Sequence, residues 1–344
     1  MLLRRLPLSL LIILGLVILT LTAASSIVIG PMAISMRDSF TGLSPWASDL
    51  PEHIQMVIHQ IRLPRTLLCM IVGAILALSG AVMQGLFRNP LAEPGIIGVS
   101  AGAALGASLA IVAFAGIGAS YPLLMNIAAV PFFAFLGGAL TTILVYSLGT
   151  SKFGTSVSVM LLAGVAVSAL SGAAIGYLSF IADDQMLRDL SLWSMGSLAG
   201  ATWPSILLAA VTLLLLFIIF MYHAKGLNAL LLGEAEAGHL GIDTQKLKRT
   251  MIILAAAGVG ITVSISGVIG FIGLIIPHLG RMLCGPDHRR LLPLAALLGA
   301  LLLTAADMVA RVVVTPAELP VGIVTAMIGA PFFIYLLFTQ RGRM

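Results

Sequence analysis

Charge is what this chain has least of. Asp, Glu, Lys and Arg make up 9% of its 344 residues, against 60% hydrophobic. A soluble domain carries about 25% charged residues to build its polar shell, so a water-soluble globule is excluded. Cysteine is nearly absent. Cys69 and Cys284 both fall inside apolar runs, which excludes a disulfide framework and a cysteine metal cluster. The six histidines (His53, His59, His223, His239, His278 and His288) never form H-E-x-x-H, so neither a metal site nor a resident cofactor is expected. No G-x-x-x-x-G-K-[ST] loop occurs either, so the chain is not its own ATPase. The one nucleophile-like pattern, Gly98-Val99-Ser100-Ala101-Gly102, lies in an apolar segment with no histidine between His59 and His223. A G-x-S-x-G elbow needs a strand-to-helix turn and a His base. Gly98, Gly102 and Gly106 read instead as a small-residue stripe that lets a neighbouring helix approach, and no catalytic residue is expected.

What is present in abundance is long apolar sequence. In lipid every backbone N–H and C=O must be satisfied internally, so only helices or closed barrels span. The runs are continuous rather than alternating, which selects helices. Ten segments are expected, at 8–29, 63–85, 92–114, 122–148, 156–181, 204–222, 250–268, 270–283, 292–312 and 320–338. The first, behind Arg4 and Arg5, is about 22 residues, longer than a signal-peptide core of about 7–15, and is kept as a membrane helix. The piece 183–200 begins too polar to span and reads as a short interfacial helix plus a loop. Ten spans put both termini on one side.

The net charge of +5 follows topology, which argues against a nucleic-acid partner. One side collects Arg4, Arg5, Arg88, Lys152, Lys225, Lys246, Lys248, Arg249, Arg281, Arg289, Arg290, Arg341 and Arg343. The other holds Arg37, Arg62, Arg65, Arg188 and Arg311. Thirteen against five makes the first side cytoplasmic. A weak repeat also shows. "SGAVMQGLFRNPL" from Ser79 and "SGVIGFIGLIIPHL" from Ser266 each follow an Arg-Thr pair and run in opposite directions, as inverted transporter repeats do.

Two polar features point to partners. The stretch 225–249, "KGLNALLLGEAEAGHLGIDTQKLKR", reads as two short helices meeting at a Gly turn, shaped for another protein's groove or for the membrane interface. On the outer side, Arg62 and Arg65 share a helix face at i, i+3. Their planar forks suit carboxylates, whether on an acidic partner, on lipid headgroups, or on the nearby Glu52 and Glu318. Asp307 is the clearest carboxylate within a span, and Arg311 lies one turn beyond it.

These segments resemble the FecCD-type permeases of binding-protein-dependent ABC importers for iron–siderophores, haem and vitamin B12. "RLPRTL" at 62–67, "SGAVMQGLFRNPLAEPGIIGVSAGA" at 79–103 and "LLAGVA" at 161–166 carry the resemblance. So do "LGEAEAGHLGI" at 232–242, "SGVIGFIGLIIPHLGR" at 266–281 and "AELPVGIVTAMIGAPFFIYLL" at 317–337. The resemblance implies an all-α polytopic permease of ten helices, paired as a twenty-helix homodimer in the bacterial inner membrane. Two ATP-binding subunits would dock on the cytoplasmic side and a periplasmic binding protein on the other. It assigns Arg62, Arg65 and Arg311 to docking of the binding protein. Gly233, Glu234, Ala237, Leu240 and Gly241, within 225–249, would couple to the ATPase. It places a cytoplasmic gate at Asn89, Pro90 and Leu91 with Ser156 and Ser158. The pathway would be lined by the fifth helix, through Met160, Leu161, Gly164 and Ser168. "RNPLAEPGIIGVSAGA" and "WSMGSLAGATW" look most like the haem branch, with ferric siderophore and cobalamin as alternatives. The class-level alternatives are an ion-driven secondary transporter, which would need buried carboxylates beyond Asp307, and an intramembrane hydrolase using Ser100.

Overall fold

The structure, a computed structural model, describes residues 7–44, 50–114, 128–151 and 154–341. Arg4, Arg5, Lys152, Arg343 and the start of the expected 122–148 segment lie outside the described residues. Among the described residues the fold is all-α apart from a hairpin of two two-residue strands. Its elements are α1 (Leu8–Val28), α2 (Met36–Thr41), α3 (Glu52–Leu86), α4 (Val99–Ala113), α5 (Val130–Gly149) and α6 (Val157–Ile181). After these come α7 (Asp184–Ser194), α8 (Trp203–Leu232), α9 (Glu234–His239), α10 (Thr244–Ser266), α11 (Ile272–Cys284), α12 (His288–Val312) and α13 (Val321–Arg341). Strands β1 (Thr150–Ser151) and β2 (Gly154–Thr155) pair antiparallel between α5 and α6. Among the described residues seven helices are long and apolar enough to cross a membrane, and α4, α11 and the apolar part of α13 are shorter. The protein is therefore a multi-pass membrane protein.

Helix starts fall where short polar side chains can cap. Asp183, Thr202, Asp243 and Asp287 each accept a backbone N–H from the first turn of α7, α8, α10 and α12. Two boundaries differ from expectation. The second span begins at Glu52 rather than at residue 63, because a π-helical turn at Val57–Arg62 precedes Pro64 and absorbs the missing proline N–H. The sixth runs on to Leu232, so the first half of the 225–249 stretch is no separate helix. At 30 residues α8 is about 45 Å long, some 15 Å more than the hydrocarbon core.

The core gathers on α3, which is 83% buried along its apolar window and packs against α8, α10, α11 and α12. Lipid supplies no hydrophobic drive between helices, so small residues and close backbone approach must hold them. A Cβ on Gly80 would fall on the carbonyl of Gly273, and one on Gly73 on the carbonyl of Gly299. The two expected repeats thus meet each other at Gly80 and Gly273. The 98–102–106 stripe packs α4 on α5, since a Cβ on Gly106 would collide with the Phe133 carbonyl. The short helices α4 and α11 are each preceded by irregular chain. That before α11 ends at Phe271, in the left-handed region at φ 69°. Such backbone is tolerated at membrane depth when protein surrounds it.

Candidate functional site

At one end of the molecule the three arginines of the outer set come together. Arg65 donates to both Asp307 oxygens, at 2.9–3.1 Å, and to Glu318 at 2.5 Å. Arg311 pairs with the same Asp307 through Nε at 2.7 Å and reaches the Ser26 carbonyl at 2.8 Å. Arg62 donates to the carbonyls of Ile27 and Val28 at 2.8 Å and to that of Met32. All three side chains are buried. Their first partners belong to the chain itself, because an unpaired buried charge costs too much to persist. They nevertheless share the wall of one cavity of about 290 Å³ with Glu318 and the Gly30–Met32 turn. Three guanidinium charges against Asp307 and Glu318 leave one positive charge there. Asp307, bonded by two arginines, is no free ion-relay carboxylate. Among the pairing partners weighed for this cluster, Glu318 makes the contact.

At the opposite end, α9 is a one-and-a-half-turn helix set between Gly233 at φ 131° and Gly241 at φ 80°. Both values lie where only glycine is unstrained. Ala237 is its buried contact, whereas Leu240 is 64% exposed, an apolar side chain presented to solvent. Glu234, half-exposed, forms an ion pair with Lys248, whose side chain is 3% exposed. The Lys248 ammonium also faces the Thr155 carbonyl at 3.5 Å, and Gln245 Oε1 accepts the Thr155 N–H at 3.1 Å. Thr155 precedes Ser156, which caps α6 by accepting the Val159 N–H. A chain of contacts therefore joins α9 to the start of α6. Sequence reading counted Lys248 only as a topology charge. Its signal was its place on the buried stripe Lys248, Met251, Ile252 and Ala255 of α10.

Asn89, Pro90 and Leu91 form the turn after α3. The Asn89 side chain accepts the Leu91 N–H at 2.9 Å, and Arg88 takes φ 49°. Asn89 and Pro90 line a cavity of about 300 Å³ with Gln84, Arg281 and His288, and Gln84 bonds both Arg281 and the Leu274 carbonyl. Ser156 and Ser158 are exposed at the start of α6, and among the described residues no hydrogen bond links them to the 89–91 turn. On α6 the lining expectation also needs revising. Met160 and Gly164 point into the subunit, against Gly149 and the Ile96 carbonyl, because the 94–97 turn packs there. Leu161 and Ser168 are half-buried. Exposure falls on Leu162, Val165, Leu170, Tyr177 and Phe180. Ser100 lies beside Glu93 on a cavity of about 280 Å³ whose lining contains no histidine, and no cluster of three metal-ligating side chains occurs among the described residues.

The profile of the FecCD transport family matches residues 15–339. The hemin transport system permease HmuU of Yersinia pestis is 45% identical over 326 residues, 95% of this chain and 94% of that protein. The cobalamin import permease BtuC of Halobacterium salinarum is 43% identical, over 87% of this chain and 78% of that one. A solved structure described as an inward-facing conformation of a metal-chelate type ABC transporter superposes with a TM-score of 0.81. It is 37% identical and covers 96% of this chain and 99% of the other. These likenesses do not single out the haem branch that the sequence motifs suggested.

Proposed function

Since the chain belongs to the FecCD transport family and is the permease subunit of an ABC transporter rather than an enzyme, we propose that it imports a macrocyclic metal chelate. Cobalamin is the first reading, because several relatives from separate organisms are cobalamin permeases. Haem is the second, favoured by the 45% identical hemin permease. The observation that carries the chelate reading is the exposed apolar face of α6, which offers a large ligand a surface with few fixed polar contacts.

In this reading ten helices cross the bacterial inner membrane as an inverted repeat, with both termini cytoplasmic. Two copies pair so that their α6 faces border the pathway. A periplasmic binding protein docks at the arginine cavity, where its carboxylates compete with Glu318 for Arg65 and meet the remaining positive charge. Two ATP-binding subunits receive α9 in a groove, with Leu240 as the apolar anchor and Gly233 and Gly241 setting its angle. Motion imposed on Glu234 passes through Lys248 to Thr155 and the α6 cap. There Ser156 and Ser158, with the 89–91 turn, close the cytoplasmic gate. Reconstitution with the cognate ATP-binding subunit and binding protein tests it, by ATP-dependent uptake of cobalamin beside haem and a ferric siderophore. Cobalamin uptake that stops without ATP or binding protein is the expected result. Haem or siderophore uptake would replace the cargo, and ion-driven uptake without ATP would overturn the mechanism.

A further inference from the structure

The membrane-facing surface carries a groove of about 600 Å³ between α5 and α10 that the transport mechanism does not use. Its floor is made by small side chains, Ala139, Ala257 and Gly260, so both helices recede there. Phe135 closes the deep end, its ring 3.6 Å from where a Cβ on Gly260 would stand. The groove has no polar group to spare at that depth. Thr142 spends its hydroxyl on the Gly138 carbonyl at 2.7 Å and offers only its methyl. Polarity gathers at the other end, at Tyr146, Thr150 and Arg249. Arg249 is exposed and makes no ion pair among the described residues.

Length decides what fits. From Arg249 to Gly260 is 11 residues of helix, about 16 Å, and one leaflet's hydrocarbon is about 15 Å deep. An apolar slot of that depth stays dry and suits one acyl chain. Its cationic mouth suits an acidic headgroup, since a basic side chain at the surface attracts anionic lipid. We infer that this groove binds one anionic phospholipid, acyl chain along Ala257 and Gly260 and headgroup on Arg249. The leaflet is the cytoplasmic one under the orientation proposed above. Binding is measured without cargo, so its failure is separable from a failure of the transport reading.

The test is native mass spectrometry of the full-length permease with its ATP-binding subunit, delipidated and titrated with phosphatidylglycerol or phosphatidylcholine. Wild type should retain one phosphatidylglycerol per chain with about fivefold preference. Arg249→Gln should bring the two lipids to parity without weakening phosphatidylcholine. Ala257→Phe, which fills the floor, should abolish retention of both, and Ala139→Phe repeats the test from the facing wall if the first does not assemble. Equal binding of both lipids by wild type, an unchanged preference in Arg249→Gln, or undiminished retention in the filled grooves would overturn the inference. So would disulfide cross-linking of Ile143→Cys between copies, which would make the groove a subunit interface. Arg249→Gln is an exposed substitution, so it decides the matter even if neither filled variant folds.

Discussion

Glu234→Ala should cost more stability than Lys248→Met, although both remove the same ion pair. The Lys248 side chain is 3% exposed and that of Glu234 is 50% exposed. An ion pair with one solvated partner contributes about 0–1 kcal/mol, and that is all Lys248→Met should lose. Glu234 then simply stays in water, and a methionine of similar length fills the space. Removing Glu234 instead strands a buried ammonium with only the Thr155 carbonyl at 3.5 Å, a penalty of about 1–3 kcal/mol. Loss of an acid from the first turn of α9 adds a few tenths more. The gap between the variants is therefore about 1–2 kcal/mol, readable as thermal unfolding in detergent. Coupling should behave differently, because either change severs α9 from Thr155. In proteoliposomes with the ATPase and binding protein, both should keep hydrolysing ATP while cargo uptake falls. Equal stability losses would refute the burial argument. Wild-type coupling in both variants would refute the link itself.

Arg65→Gln should slow delivery by the binding protein about tenfold without lowering uptake at saturating binding protein, since docking charges act on encounter. Asp307→Ala, by contrast, strips the buried Arg311 guanidinium of its ion pair and leaves Arg65 with Glu318 alone, and about 3–5 kcal/mol should be lost. Gly80→Ala should lower thermal stability by about 1–3 kcal/mol, because the new methyl meets the Gly273 backbone rather than a movable side chain. Asp287 gives a pH test. Burial works to raise its carboxyl pKa, but the Asn228 amide, the Arg289 N–H and the Arg290 and Arg289 charges outweigh it and hold the group below 3.8. Its contribution is therefore present above that pH and lost as acid protonates it. Asp287→Ala should cost about 1 kcal/mol at pH 7, and in thermal melts the difference from wild type should close as the pH falls through the lowered folded-state value.

The helical class and the positions of the apolar segments were legible because composition and unbroken apolar runs are properties of single segments. The small-residue stripe at Gly98, Gly102 and Gly106 was legible for the same reason, as a local spacing. The three arginines do meet in one cluster, and Glu318 was among the partners considered, yet the pairing of Arg65 with Asp307 was not read. Asp307 is 242 residues from Arg65 in sequence, and only the fold brings them within reach. Lys248 failed for a related cause. A lysine before a membrane helix ordinarily marks topology, and its burial depends on how α10 packs beneath α9. The start of α3 was misjudged by a local rule. The polar residues Glu52, His53, Gln55, His59, Gln60 and Arg62 interrupt the apolar run there, and the π-helical turn that carries the helix through them leaves no distinctive residue pattern.

Packing in this chain also separates what holds from what can move. The apolar window of α3 is 83% buried, and glycine-to-carbonyl approaches fix it to α11 and α12. A bistable element cannot reside there, because every shift would have to reopen backbone contacts. The window of α6 is only 22% buried, and its buried residues, Met160, Gly164, Val167, Ser171 and Leu178, form a single narrow stripe. Elements with little buried surface are the ones that open at low cost. The α9–Lys248–Thr155 contacts reach α6 at its start, so a small displacement there acts on a long helix with little buried surface. Hydrogen exchange of the assembled importer should then protect α3 far more than α6, and nucleotide should change α6 first. Protection of α6 equal to that of α3, unmoved by nucleotide, would place the moving part elsewhere.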